Sequence, residues 1–111
     1  MTPRLRAEFW VQAYLRRLSL SEIPAFVVAR GDKDAGAVLV KLSLLDGTSS
    51  LFHRGFDLET GARVWDVLTQ GPEAEVDAAI SKQREFDPDL WVIEVEDRDG
   101  RHLLDEDGLS G

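Results

Sequence analysis

The residues best equipped for chemistry lie near the C-terminal end, in EFDPDLWVIEVEDRDGRH (85–102), where carboxylates flank a short apolar run and a histidine closes the stretch. A calcium loop is one chemistry such a stretch can support. Aligning Gly100 with the sixth loop position places Asp97 third, Asp99 fifth and Glu106 twelfth. The first position is then Val95, which cannot supply the carboxylate required there, and the segment before it reads as strand rather than helix. A magnesium-dependent nuclease site is another, because Pro88-Asp89 followed by Glu94-Val95-Glu96 resembles a P-D…E-x-K pattern without its closing lysine. Asp89 and Glu94 sit five residues apart on one predicted strand, roughly 16 Å, too far to share an ion.

General acid–base chemistry would need His53 or His102 beside an acid. With two histidines in the chain, their spacing carries little information, and a histidine at a strand end is ordinarily a surface residue. Ser49 and Ser50 lack the context of a nucleophile elbow. GDKDAG (31–36) has the glycine spacing of a phosphate loop but continues Ala-Val-Leu instead of Lys-Ser/Thr. The acidic stretch therefore reads as a structural strand with charged flanks, and no catalytic residue, cofactor or metal is expected.

Composition narrows the class further. The chain has 111 residues, the size of one hydrophobic core, and at 43% hydrophobic and 31% charged it is too apolar for a disordered chain. Without cysteine it can have no disulfide framework, zinc ribbon or thiol nucleophile. No apolar run approaches the roughly 18 residues of a membrane span, and Arg4, Arg6 and Glu8 interrupt any secretory signal, so a cytoplasmic protein with no membrane association is expected. The net charge of −8 divides unevenly, +3 over residues 1–30 and −11 over 31–111. Such a chain repels phosphate overall, which disfavours a nucleic-acid partner. Its arginine-bearing start can still meet an acidic protein.

The elements that would position these residues follow from periodicity. Residues 4–20 predict a helix with Ala7, Trp10, Val11, Tyr14, Leu15 and Leu18 on one face. AFVVAR (25–30) predicts a strand. AVLVKLSLL (37–45) alternates, with Val38, Val40, Leu42 and Leu44 on one side and Lys41 and Ser43 on the other. Asp46-Gly47 predicts a two-residue hairpin turn with positive φ at both positions, leading into a strand at 48–54. Residues 62–70 predict another strand. Gly71-Pro72 opens a second helix with Pro72 at its first position and Val76, Ala79, Ile80 and Gln83 inward; Asp87-Pro88 stops it. In DLWVIEVED, Trp91, Ile93 and Val95 face the core, with Val92, Glu94 and Glu96 opposite. RHLLD predicts a short last strand. The order α-β-β-β-β-α-β-β implies an α+β domain over 1–105, a mostly antiparallel sheet of five to six short strands with two helices packed on one face. Residues 106–111 are expected to form a flexible acidic tail.

With these residues laid out, WVQAYLRR (10–17), AGAVLVKL (35–42), the Asp-Gly-Thr turn (46–48) and above all FDPDLWVIEVEDRDGRH (86–102) together resemble domain-of-unknown-function family 1491, small bacterial proteins. The resemblance spans nearly the whole chain. It implies a single compact domain and transfers no activity, cofactor or catalytic residue.

Two function classes remain. The favoured one is a binding or adaptor domain acting through a protein partner or self-association. The first helix carries a second apolar patch away from its core stripe, formed by Leu5, Phe9, Ala13 and Leu20 and bordered by Arg6, Arg16 and Arg17. Phe9, Ala13, Arg16 and Arg17 are the candidate interface, unless another part of the chain, such as the 55–61 loop, covers Phe9. The alternative is a small enzyme or ligand-binding domain built on a polar cluster of His53, Glu94, Glu96 and Arg98. A concavity holding two or more of those four would favour it.

Overall fold

The computed structural model describes residues 6–106 and 108–109. Over these, the chain runs α1 (Ala7–Leu20), β1 (Ala25–Ala29), β2 (Val38–Ser43), β3 (Thr48–Phe56), β4 (Arg63–Pro72), α2 (Glu73–Phe86) and β5 (Trp91–Glu96). The sheet order is β1-β5-β2-β3-β4. β2, β3 and β4 form an antiparallel meander, after which α2 carries the chain back so that β5 lies parallel to β2 and antiparallel to β1. The architecture is α+β as expected, but the sheet is mixed. A parallel neighbour needs a crossover, and α2 supplies it.

The crossover also corrects the expected helix placement. Trp10, Val11, Tyr14 and Leu18 of α1 pack with Val40, Leu42, Trp91, Ile93 and Val95 on one face. Val76 and Ile80 of α2 pack with Leu39, Leu51, Leu90 and Val92 on the other. The helices therefore cover opposite faces, and the central strands β2 and β5 are buried on both sides. That is why VIEV does not alternate cleanly: Val92 is as buried as Ile93 because each has a helix over it.

Neither helix has a side-chain N-cap; backbone carbonyls from loops take that role. The Ala7 and Glu8 amides donate to Asp34 and Lys33, and the Glu73 amide donates to Gly47 of the β2–β3 hairpin. Pro72 stands just before α2 and also closes β4, one position earlier than expected. The loop between β1 and β2 presses so closely on β5 that a Cβ at Gly31 or Gly36 would collide with the Asp89 carbonyl. Nearby, the Trp91 indole N–H donates to the Asp32 carbonyl at 2.8 Å.

Two turns differ from expectation. The β2–β3 hairpin has positive φ at Leu45 and Gly47, while Asp46 uses its carboxylate to accept from the Thr48 amide (2.9 Å) and hydroxyl (2.6 Å). RHLLD is not a strand. Leu103 turns at φ 61, the His102 carbonyl accepts from the Tyr14 hydroxyl at 2.8 Å, and Leu104 is fully buried under α1. The segment expected to be a flexible acidic tail is docked where it is described: Leu109 is in the core and its carbonyl accepts from Arg54 (3.1 Å) and the Trp65 indole (3.2 Å). Glu106 pairs with Arg17 at 3.5 Å.

Candidate functional site

The acidic stretch resolves into separate arrangements, each with its own partner. Asp97 accepts from the Arg101 amide (2.7 Å) and from the Arg101 guanidinium through both oxygens (3.1 and 3.0 Å). Arg101 holds the Asp97 carboxyl below the usual carboxylate range, so it stays ionised with both oxygens engaged by the guanidinium. His102 is likewise committed. Its Nδ1 accepts from the Leu104 amide at 3.0 Å, which leaves Nε2 as the protonated nitrogen, and its ring lies 4.7 Å from that of Phe52. Burial lowers its pKa, with Asp105 opposing, so the neutral ring is favoured. Among the described residues, no group of three or more His, Cys, Asp or Glu side chains could hold a metal ion.

The polar cluster of His53, Glu94, Glu96 and Arg98 is not assembled. Glu94 and Glu96 lie on the α2 face of β5, where Glu94 is level with Lys41 and, beyond it, Leu51. His53 is two strands away and two residues further along, at least roughly 12 Å from Glu94. Arg98 is exposed in the turn after β5. What occupies the space beside Glu94 is Lys41, whose side chain is only 5% exposed. Its Nζ donates to Glu73 Oε1 and Asp77 Oδ1, each at 2.8 Å, and lies 3.3 Å from Glu94 Oε1. Burial pulls the ammonium pKa down, but the hydrogen bonds to Asp77 and Glu73 and the charge of Glu94 outweigh it and hold Lys41 above the ordinary lysine range. The tripod pins α2 to the sheet, and a lysine held this way is no nucleophile. Sequence reading placed Lys41 on an outer polar face. The missed signal was the Glu73/Asp77 pair at i, i+4 on the helix that covers that face.

On the outer side of α1 the expected patch is open. Phe9 is 64% and Leu20 74% exposed, so the 55–61 loop does not cover Phe9. Ala13, Arg16 and Arg17 are exposed beside them, with Arg17 paired to Glu106. Leu5, assigned to the same patch, lies outside the described residues.

A concavity of about 910 Å³ opens where the start of β2 and the end of β3 separate, between the N-terminal end of α1 and the C-terminal end of α2. Of the four polar-cluster residues, only His53 lines it. Its wall includes the Trp10–Trp65 pair, ring centroids 5.2 Å apart, with the Arg54 guanidinium over both rings at 5.4 and 4.9 Å. The Trp10 indole N–H is buried without a hydrogen-bond partner. Burial raises the pKa of Tyr14, stacked on Trp10, so its hydroxyl stays a donor. No helix among the described residues is long and apolar enough to cross a membrane.

Comparison with known proteins agrees with this fold. No curated protein matches the chain. A crystal structure of a DUF1491 family protein from Caulobacter crescentus is 41% identical, covering 93% of this chain and 97% of the other, with a TM-score of 0.83. An NMR structure of a DUF1491 family protein from the same organism is 40% identical over 95% and 96%, with a TM-score of 0.79. A solution structure of a protein from A. tumefaciens is 29% identical over 85% and 86%, with a TM-score of 0.71. The family model described as "Protein of unknown function (DUF1491)" matches residues 5–105, and the chain belongs to that family.

Proposed function

We propose that this protein is a cytoplasmic adaptor domain without catalytic activity, and that it engages a protein partner through the outer face of α1. The observation that carries this reading is Phe9, 64% exposed on a helix whose opposite face is fully docked, with Ala13, Arg16 and Leu20 continuing the same surface. An aromatic anchor bordered by guanidinium groups suits a partner with an apolar pocket rimmed by carboxylates. A second copy of the chain is a poorer fit. The carboxylates of Glu73, Asp77 and Glu94 are already engaged by Lys41, and Glu106 beside the patch is paired with Arg17 of its own chain. The sheet edges are poor substitutes, since register irregularities interrupt the pairing of both β1 and β4. The enzymatic alternative loses its site with the dispersal of His53, Glu94, Glu96 and Arg98.

The test is Phe9→Glu, examined by circular dichroism, light scattering and affinity capture from the native cell. The variant is expected to remain folded and to lose the partners that the parent protein captures. An unfolded variant would make Phe9 a structural residue, and a folded one with unchanged mass and unchanged partners would refute the interface.

A further inference from the structure

The sheet contains a fork that neither helix fills. β2 stays in register with β5 along its whole length, from Val38↔Trp91 to Ser43↔Glu96, and β3 stays paired with β4, through one register shift at Leu51/Phe52, out to Phe56↔Arg63. Between β2 and β3, pairing runs only from Val40↔Phe52 to Ser43↔Ser49. The direction of the backbone groups at the fork follows from the ladder. The Leu44 amide donates to the Thr48 carbonyl, making 44 and 48 a hydrogen-bonded pair. Alternation then makes 42/50 and 40/52 the next such pairs, and Val38/Arg54 the one after. That last pair is not in register. On the β5 side, the Trp91 amide donates to the Ala37 carbonyl at 2.8 Å, so odd-numbered residues of this segment bond to β5. The N–H and C=O of Val38 therefore face the fork.

The fork is the floor of the 910 Å³ concavity, and its lining differs from the rest of this acidic chain. Three arginines, Arg6, Arg54 and Arg63, stand there against Asp34 and Asp87, a formal excess of positive charge on a protein of net charge −8, although Arg6 pairs with Asp34 and Arg54 also donates to the Leu109 carbonyl. Val38, Trp65 and Leu90 supply apolar surface, and the unpartnered Trp10 indole donor stands in the wall. Strand edge, apolar bed and cationic rim together match recognition by strand addition, in which main-chain bonds hold an extended peptide and flanking side chains select it. A free phosphate would engage the guanidinium groups and leave the strand edge unused.

We propose that the β2–β3 fork is a peptide site, separate from the α1 face, which takes a short extended segment bearing acidic side chains. The segment continues the sheet from Val38 and directs its carboxylates toward the arginines.

The experiment titrates the isotope-labelled full chain, by amide NMR, with three probes: a blocked hexapeptide of alternating valine and glutamate, its valine–lysine counterpart, and inorganic phosphate. The acidic peptide is expected to shift the Val38, Arg54 and Gly55 amides and to bind about tenfold more tightly than the lysine peptide, with affinity falling as salt rises. Val38→Pro, which removes the amide aimed at the fork, should weaken the acidic peptide by about tenfold. Arg6→Glu reverses a charge in an exposed pair with Asp34 and should weaken it severalfold with the fold intact, which keeps the test valid if the proline variant does not fold. Equal binding of the two peptides, shifts confined to other regions, or phosphate reproducing the full set of shifts would each overturn the proposal.

Discussion

Replacing Lys41 with methionine tests whether the tripod beneath α2 holds the helix. Methionine nearly preserves the volume and removes the charge, so the variant isolates the electrostatics from packing. Glu73 and Asp77 are 42% and 55% exposed; released from Lys41 they can turn to water, and each contributes no more than a surface pair, about 0–1 kcal/mol. Glu94 is different. At 18% exposure, with Phe26 and Lys41 as its cross-strand neighbours, it would be left as a partly buried carboxylate without its cation. Removing one member of a buried pair costs about 3–5 kcal/mol. Discounted for the water that still reaches Glu94, the total for Lys41→Met is about 2–3 kcal/mol, which for a domain of this size lowers the melting temperature by roughly 8–18 °C.

The decisive assay is a double-mutant cycle by urea denaturation. Lys41→Met with Glu94→Leu removes both charges and should lie within about 1 kcal/mol of the parent, because two apolar side chains can replace a buried ion pair at little cost. Since the folded-state pKa of Lys41 is raised above its ordinary 10.5, its contribution is complete below that value and declines as pH rises through the folded value. The Lys41 part of the deficit should therefore be the same at pH 7 and pH 9. If Lys41→Met costs under about 0.5 kcal/mol, or the double variant is no more stable than the single, the tripod does not anchor α2.

The lowered pKa of His102 means that the folded protein favours the neutral ring, so stability should fall as pH drops below the ordinary value of 6.5. Denaturation midpoints between pH 7.5 and about pH 5.5 should show this, and His102→Asn, which keeps an acceptor for Leu104, should flatten the slope; an unchanged slope would refute the role. Trp91→Ala should cost about 3–5 kcal/mol and Glu96→Ala less than about 0.5 kcal/mol, measured by the same denaturation; the reverse order would mean the faces of β5 are misassigned. Thermal melts in EDTA, calcium, magnesium and zinc should coincide, whereas a metal at 100 times its Kd would add about 2.7 kcal/mol; a calcium shift abolished by Asp99→Ala would restore the loop reading.

Elements governed by local periodicity were legible in the sequence. The inner face of α1 and the alternation of β2 both appear as predicted, because each depends on spacing within one segment. The strand predicted at 62–70 forms β4, and its edge position accounts for a sequence in which Arg63 and Asp66 interrupt the apolar residues. RHLLD carries apolar residues but forms no strand: the His102 carbonyl accepts from Tyr14 of α1, and the Leu104 amide donates to the His102 ring. Leu109 sits amid acidic and small residues, so no local pattern marked it as core.

What local pattern could not supply was β5 entering between β1 and β2, and the remaining differences follow from that insertion. A strand parallel to β2 requires its connection to cross one face, which places α2 opposite α1 and turns an outer polar face into a second interior. Lys41 and Glu94 then had to be buried, and they are tolerated because α2 arrives with Glu73 and Asp77 one turn apart. The same insertion explains the fork. β5 holds β2 straight along all six residues, while β4 holds β3 through a register irregularity at Leu51/Phe52, one step from where β2 and β3 part. A bulge increases local twist, and β2–β3 pairing ends beside it, so that among the described residues the Val38 edge of an interior strand lines the concavity.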